Sequence, residues 1–475
     1  MKKQYIFRLW LACLVTTLFF APFSIAQDLR EVPQSEAQAQ LSYAPVVKKA
    51  APAVVNVFSK RTIRTSGSSF GGSSMFERMF GRGIFGPQER VQQSLGSGVI
   101  VGEGGVIVTN NHVVQGADEL RVVLADRREF DATLLLSDEK TDLAVLRIEL
   151  DGETLPIMPF ATQNEAEVGD LVLAIGNPFG VGQTVTSGIV SALARTDVGS
   201  GDYSFFIQTD ASINPGNSGG ALVSMDGELL GVNTVILSRS GGSNGIGFAI
   251  PAAMVRRVVE AAVSDGEVVR PWFGARLQNV DRDLSASLGL DRPRGALVSQ
   301  IYPKGSAARA GIKRGDVVLA VGGQDINSEQ GLRFRLAIHK VGEQVPVKIL
   351  RDGAELVKQL TTRAAPEIPL RNNKSFSGTH PFGGAEIANL SPALAEEKGL
   401  DPFAHGVLVL HVQSRSAAGY YGFRPGDIVR ELNDVIIEDV ADLVRAIEVG
   451  EGWNRWPVRL ERGGKEVAGT IRIRN

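Results

Sequence analysis

A single cysteine, Cys13, occurs in 475 residues, and histidine occurs only five times. So few ligands exclude a Cys/His zinc site, and one thiol excludes a disulfide scaffold. A surplus of either charge is missing too. Fifty Lys and Arg face 52 Asp and Glu, for a formal charge of −2, so there is no electrostatic reason to expect a nucleic-acid partner. The longest apolar run near the start, residues 9–21, stops short of the ~20 residues that a membrane span needs. Wholesale disorder is excluded by a composition of 43% hydrophobic and 21% charged residues. What is abundant is glycine: 54 residues, about 11% against the usual ~7%. That surplus favours turns and close backbone approach, hence barrels or sandwiches over helical bundles.

The first 26 residues read as an export signal. Lys2, Lys3 and Arg8 precede the apolar run, Pro22 ends it, and Ser24-Ile25-Ala26 puts small residues at −3 and −1 of a cleavage site. Cleavage after Ala26 makes Gln27 the first mature residue. It removes the one Cys and three positive charges, taking the formal charge from −2 to −5. A retained membrane anchor and a lipoprotein site at Cys13 are the alternatives. The expected destination is the periplasm.

Short β-rich segments then run from Ala53 to Ile250, for example Val54-Val55-Asn56-Val57-Phe58 and Leu171-Val172-Leu173-Ala174-Ile175, separated by Gly, Asn and Asp turns. Too few helical patterns lie between them for βαβ units, which predicts an antiparallel barrel architecture. Residues 65–87, rich in Gly, Ser and Phe, read as a long loop, either without a role or docking through Phe70, Phe76, Phe80 and Phe85. Pro251 opens an amphipathic helix to about Val263. The remainder is duplicated: a shift of 111 positions lays Gly295, Gly311, Gly315-Asp316, Leu332, Pro346-Val347, Arg351 and Gly353 on Gly406, Gly422, Gly426-Asp427, Leu443, Pro457-Val458, Arg462 and Gly464. Residues 364–378, with Pro366 and Pro369, read as the linker between copies. The predicted domains are therefore 27–263, 264–365 and 366–475.

The strongest chemical signal is Asn214-Pro215-Gly216-Asn217-Ser218-Gly219-Gly220. A serine hydroxyl is a poor nucleophile at neutral pH, so it needs a base beside it and donors aimed at the developing oxyanion. The N–H groups of Gly216 and Ser218 would form that oxyanion hole, with Asn217 holding the turn between them. His112 is the single histidine between Gln27 and Val263, and it directly follows a predicted strand. A third group must fix the imidazole tautomer. Asp142 qualifies because it enters the apolar strand Leu143-Ala144-Val145-Leu146, where a lone carboxylate is costly. Asp118, Asp126, Asp131 and Asp138 sit in turn-like polar surroundings and read as solvated. The order His, Asp, Ser is that of the chymotrypsin-type double barrel. No metal cluster and no Gly-Lys-Ser/Thr phosphate loop is present, so no cofactor is expected.

Thr109-Asn110-Asn111-His112-Val113-Val114, Thr141-Asp142-Leu143-Ala144-Val145-Leu146, Gly176-Asn177-Pro178-Phe179-Gly180, Gln208-Thr209-Asp210-Ala211-Ser212-Ile213-Asn214 and Gly216-Asn217-Ser218-Gly219-Gly220 together resemble the HtrA family. These are exported, ATP-independent serine proteases of protein quality control, and the two-repeat form resembles the periplasmic Do type. The resemblance implies a mostly β fold: a chymotrypsin-like double β-barrel followed by two PDZ domains. It implies a serine endopeptidase of misfolded or unfolded proteins, with chaperone activity beside proteolysis, assembled as a homotrimer or multiples of trimers. Membrane association is not required by it. The long loop resembles the family's loop for oligomer contacts and active-site control. Ser187-Gly188-Ile189-Val190-Ser191-Ala192-Leu193-Ala194-Arg195 resembles the segment leading into the sensor loop, with Arg195 matching the activation-coupling arginine. Thr234-Val235-Ile236-Leu237-Ser238 resembles the strand and loop that pair with substrate.

Substrate preference follows partly from an absence. Trypsin-like enzymes that cut after Lys or Arg carry an Asp six residues before the nucleophile. Here that residue is Ser212, with Asp210 eight before. Ile213 and Ile236 would make an apolar pocket suited to Val, Ala, Ile or Leu, residues that folded proteins bury. PDZ domains add a peptide strand to a sheet edge and hold its terminal carboxylate in backbone N–H groups. Phe273-Gly274-Ala275-Arg276-Leu277 resembles that loop and first strand in repeat one, with Arg270 adding charge. In repeat two the match is Phe382-Gly383-Gly384-Ala385-Glu386, displaced by one position, so its role is peptide binding or assembly. The expected partners are unfolded proteins and C-terminal peptides. A chaperone or scaffold with little proteolysis is the competing reading.

Overall fold

A computed structural model describes residues 42–63, 90–161, 166–177, 182–195, 205–214, 216–236, 244–264 and 266–473. The export signal, the loop at 65–87, Leu237 and Ser238 lie outside the described residues, as do the side chains of Arg195, Val235 and Ile236. Two closed six-stranded barrels come first. The first consists of β1 (Val54–Ile63), β2 (Arg90–Gly102), β3 (Val106–Asn110), β4 (Glu119–Val123), β5 (Glu129–Asp138) and β6 (Leu143–Ile148), in the order β1-β2-β3-β6-β5-β4. The second consists of β7 (Leu171–Gly176), β8 (Thr184–Arg195), β9 (Phe206–Thr209), β10 (Ala221–Val223), β11 (Leu229–Ile236) and β12 (Gly247–Pro251), in the order β10-β11-β12-β9-β8-β7. Closure leaves no unpaired barrel edge.

One apolar cluster joins the barrels, running from Val57, Ile107 and Leu146 to Leu173, Val223 and Val232, all fully buried. β3 is consequently buried along its whole length. Each large aliphatic side chain buried there contributes roughly 1.5–3 kcal/mol, which fixes the two barrels against each other. The helix after them, which we call α2, spans Ala252–Ser264. Met254, Val255, Val258, Val259 and Ala261, spaced one helical turn apart, face the same cluster. Pro251 ends β12 and does not open the helix, because it is held in the ladder opposite Gly231.

The two small domains repeat one topology. The first contains β13 (Ala275–Asn279), β14 (Ala296–Ile301), β15 (Val317–Val321), β16 (Gln324–Asp325), β17 (Gln344–Arg351) and β18 (Ala354–Thr361), ordered β13-β14-β15-β17-β18, with the helix α3 (Glu329–Ala337). The second contains β19 (Lys374–Ser375), β20 (Ala385–Asn389), β21 (Val407–Val412), β22 (Ile428–Leu432), β23 (Val435–Ile436), β24 (Arg455–Arg462) and β25 (Lys465–Arg472), ordered β19-β20-β21-β22-β24-β25, with α4 (Val440–Val449). The duplicated Arg and Asp do the same job in each copy. Arg351 binds the buried Asp316 through two bonds of 2.7 Å and the Gly311 carbonyl at 2.8 Å. Arg462 binds the buried Asp427 at 2.6 and 2.7 Å and the Gly422 carbonyl at 2.8 Å. A buried carboxylate needs such a partner, which explains why this pair survives the 111-residue shift.

Part of the expected linker is not a linker. Residues 374–375 form β19 and pair with β20, so the second domain begins within the segment assigned to the connection. Asp138 also departs from expectation. It is buried, not solvated, and accepts bonds from Arg270 and Thr141. Arg270 thus ties the start of the first small domain to the first barrel. Phe205 stacks on Phe334 of α3 with ring centroids 4.0 Å apart, a second link between barrels and repeat one.

Candidate active site

β3 delivers the chain to a one-turn helix, α1 (Asn111–Val114), which carries His112 at the junction of the barrels. Asp142 sits immediately before β6 with φ +56°, a left-handed conformation that Asp tolerates better than most residues. That turn aims both its carbonyl and its carboxylate at α1. Asn111 N–H and Asn110 Nδ2 donate to the Asp142 carbonyl at 3.1 and 2.9 Å. His112 N–H donates to Asp142 Oδ1 at 3.0 Å, and His112 Nδ1 lies 2.8 Å from Oδ2. Burial opposes charge on the Asp142 carboxyl, but the adjacent imidazole, its hydrogen bond and the Thr234 hydroxyl together hold it below the ordinary carboxylate range. An ionised carboxylate accepts only, so Nδ1 carries a proton, and in the neutral ring Nε2 is then the acceptor.

Ser218 lies between β9 and β10, in a loop hooked to both barrels. Its carbonyl accepts Ser97 N–H at 2.8 Å, and Ser97 Oγ donates to the Gly216 carbonyl at 2.6 Å. Gly219 N–H donates to the Asn233 carbonyl at 2.8 Å. Gly219 has φ +83°, and a Cβ there would strike the Ser97 carbonyl oxygen, so glycine is required twice over. Asn217 N–H closes the turn on the Asn214 carbonyl at 3.0 Å. The Asn217 amide side chain is buried with neither polar atom hydrogen-bonded, a cost of about 1–3 kcal/mol of the kind that functional sites carry.

Thr234 connects the two halves. Its Oγ1 donates to Asp142 Oδ2 at 2.7 Å, and its carbonyl accepts Ser218 Oγ at 3.0 Å. His112, Asp142 and Ser218 are therefore gathered at one place, with Thr234 between carboxylate and hydroxyl. Sequence reasoning placed Thr234 on a substrate-pairing strand and missed this bridging position. It also missed Ser97, which has no motif to mark it.

The remaining candidates are distributed as follows. Ile213 is buried in the core of the second barrel against Gly247. Asp210 is not a free pocket carboxylate, since its Oδ1 accepts Ile189 N–H at 2.7 Å. The backbone of Arg195 pairs with Phe206, next to the Phe205 that stacks on α3. In repeat one, Phe273, Gly274 and Ala275 form the turn into β13, and Leu277 is buried behind it. Gly274 has φ +77°, and a Cβ there would approach Gly305 Cα to 2.7 Å. Arg276 reaches to Asp401 of the second small domain at 2.5 Å, with its guanidinium 5.2 Å from the Phe403 ring centroid. Arg270 does not face the loop as expected, because its guanidinium is paired with buried Asp138.

Residues 96–232 match a model described as trypsin-like peptidase domain, and residues 271–362 match one described as PDZ domain. A protein of Marinomonas sp. called probable periplasmic serine endoprotease DegP-like is 39% identical over 436 residues, covering 89% of this chain and 91% of the relative. Periplasmic serine endoprotease DegP of Escherichia coli K12 is 38% identical over 434 residues, covering 87% and 88%. A solved structure titled HtrA-type protease AlgW with tripeptide matches at 41% identity and a TM-score of 0.51, over 69% of this chain and 98% of the other.

Proposed function

The chain belongs to the HtrA/DegP family of periplasmic serine endoproteases, and from that premise we propose that His112, Asp142 and Ser218 are its catalytic triad. The enzyme is a serine endopeptidase with a trypsin-like domain and a PDZ domain. The observation that carries the triad is the convergence on Thr234. One residue holds the Asp142 carboxylate with its hydroxyl and the Ser218 hydroxyl with its carbonyl.

A hydroxyl has one proton to donate. Attack by Ser218 therefore begins with its O–H turning from the Thr234 carbonyl to His112 Nε2. The imidazole takes the proton as Oγ bonds to the scissile carbonyl, and the neighbouring Asp142 charge stabilises the imidazolium. Gly216 and Ser218 N–H groups receive the oxyanion, while Asn217, whose own N–H is engaged, holds the turn. His112 then returns the proton to the leaving amine, and water completes hydrolysis by the same relay. ATP has no part in this chemistry.

The substrates fitting this reading are unfolded or misfolded proteins, whose apolar residues reach the strand of Thr234, Val235 and Ile236 only when exposed; Ile213, packed in the barrel core, lies behind that surface. Holding such chains without cutting them is a chaperone activity compatible with the same surface, and a homotrimer is the expected assembly. Repeat one recruits or senses C-terminal peptides at β13, and AlgW, a relative of this architecture, was solved with a tripeptide. The stacked pair Phe205 and Phe334 supports a route from that domain to the strand pair of Arg195 and Phe206. A fluorophosphonate probe tests the nucleophile directly. It should label Ser218 in the intact enzyme, and labelling of any other serine overturns the assignment.

A further inference from the structure

The two small domains differ at the sheet edge where a peptide would add. In the first, β13 is the terminal strand and, among the described residues, pairs with β14 alone. In the second, the equivalent strand β20 pairs with β21 on one side and with the chain's own residues 371–376 on the other. That second ladder is short and antiparallel, with Asn372 at φ +47° where the chain joins it. Asn389 N–H bonds to the Arg371 carbonyl at 2.7 Å, Lys374 and Ser375 stand opposite Ile387 and Glu386, and Phe376 N–H bonds to the Ala385 carbonyl at 2.9 Å.

The ladder ends in the glycine turn. Gly384 N–H donates to the Phe376 carbonyl at 2.8 Å. Gly384 is the structural counterpart of Gly274 despite the displaced register. Gln413 N–H bonds to the Gly384 carbonyl as Tyr302 N–H bonds to that of Gly274, and Ala418 N–H bonds to the Gly383 carbonyl as Ala307 N–H bonds to that of Phe273. The two loops share positive φ, +82° and +77°. So the loop whose N–H groups would hold a terminal carboxylate is intact in repeat two, and a main-chain carbonyl occupies one of its donors. The Phe376 side chain packs on the second domain's core, with its ring centroid 6.3 Å from that of Phe382 and 5.4 Å from that of His380. Lys374 and Ser375 are exposed. One apolar anchor beside the glycine turn and polar residues before it are what a bound C-terminal peptide would present.

We propose that residues 371–376 are an internal ligand of the second small domain, with Phe376 in the place of a peptide's last residue. The domain then takes an outside peptide ending in a large apolar residue only when this segment is released. This rests on the reading that these domains bind C-terminal peptides at the sheet edge. Tethering gives the segment an effective concentration on the order of millimolar, so weak outside peptides do not displace it. Its grip is limited by chemistry: the Phe376 carbonyl is neutral, whereas a free terminus brings a carboxylate, whose hydrogen bonds are about twice as strong.

The test uses the full chain with Ser218→Ala, so that peptide is not cut. Sites are counted by titration calorimetry with a peptide ending in Lys-Ser-Phe and a free carboxylate, against the same peptide amidated. Adding Phe376→Ala should create one further site per chain, at least tenfold tighter for the acid than for the amide. If repeat one does not bind, the count rises from none to one instead of from one to two, which separates failure of that reading from failure of this one. An unchanged count in a Phe376→Ala chain that still melts cooperatively overturns the proposal, as does a second site already open before the substitution. Should Phe376→Ala fail to fold, hydrogen exchange on the Ser218→Ala chain decides. Protected amides at Phe376 and Gly384 support an occupied edge, and exchange of either at the rate of an unstructured peptide overturns it.

Discussion

Repeat one and repeat two share a strand order, an Arg–Asp clamp and a glycine turn of the same handedness, yet they present different edges. Among the described residues β13 has a partner on one side only, while β20 is covered by the chain itself. The helices are even pinned alike, Glu329 N–H by Asn279 Oδ1 at 2.7 Å and Val440 N–H by Asn389 Oδ1 at 2.6 Å. What a duplication keeps is therefore the set of residues that cannot change without exposing a buried charge or straining a turn. What separates the copies is the segment leading into each. Before repeat one, Arg270 is anchored on Asp138 of the first barrel. Before repeat two, residues 371–376 turn back along their own domain.

The largest expected effect concerns the readout on which both repeats depend. Ser218→Ala should lower casein digestion by ~10⁶ with folding intact, and residual cleavage above a few per cent of wild type would show a second nucleophile. Without that loss, no stimulation by peptide can be ascribed to either repeat.

Asp142→Asn should lower turnover by ~10⁴, because Asn offers His112 the wrong hydrogen-bond pattern. It carries a pH signature as well. The folded-state carboxyl is held below its ordinary value, so its stabilising contribution is complete above about pH 4–5 and is lost as pH falls below about 3.9. Urea unfolding between pH 5 and pH 3 should show that acid limb in wild type and a shallower one in Asp142→Asn. Equal limbs would mean that Asp142 is not the stabilised carboxylate.

The equivalence of the repeats is sharpened by Arg351→Ala and Arg462→Ala. Each leaves a buried carboxylate, Asp316 or Asp427, without its partner. The expected loss is about 2–3 kcal/mol in each, below the ~3–5 of a wholly buried pair because both guanidiniums are partly exposed. Losses of unfolding free energy, measured by denaturant titration, that differ between the two variants by more than about 1 kcal/mol would break the equivalence.

The difference between the repeats is tested by peptide binding. Gly274→Trp should reduce binding of C-terminal peptides more than tenfold, since a side chain at φ +77° meets Gly305. Gly384→Trp should leave that binding unchanged, because the edge beside it is already filled. A loss in Gly384→Trp equal to that in Gly274→Trp would make the two domains alike after all.

The smallest effect is expected for Arg195→Ala. Binding should persist while the few-fold stimulation of cleavage by peptide disappears, as measured on a separate reporter substrate. If the variant is stimulated as strongly as wild type, repeat one tethers substrate and does not signal.

The chemistry was legible in the chain because it demands rare residues in fixed local patterns. A lone histidine after a strand, a carboxylate entering an apolar run and a serine among glycines have few other uses, and the structure brings all three together. The duplication was legible because turn glycines and the Arg–Asp clamp tolerate little change. Other contacts left no mark. Thr234 lies 92 residues from Asp142, and nothing about a threonine on a strand announces a carboxylate partner. Arg270 and Asp138 are 132 residues apart; the first read as charge beside the peptide loop of repeat one and the second as a solvated turn residue, and nothing in either pointed to the other. The path of residues 371–376 read as a proline-bearing linker, since six residues that pair with an edge look no different from six that do not. Local covalent and conformational requirements restrict residue type, so the sequence by itself determined the reaction, the barrels and the repeat. Which common side chains meet, and which sheet edge is covered, depends on the sum of many weak contacts between distant segments, and that only the tertiary structure decided.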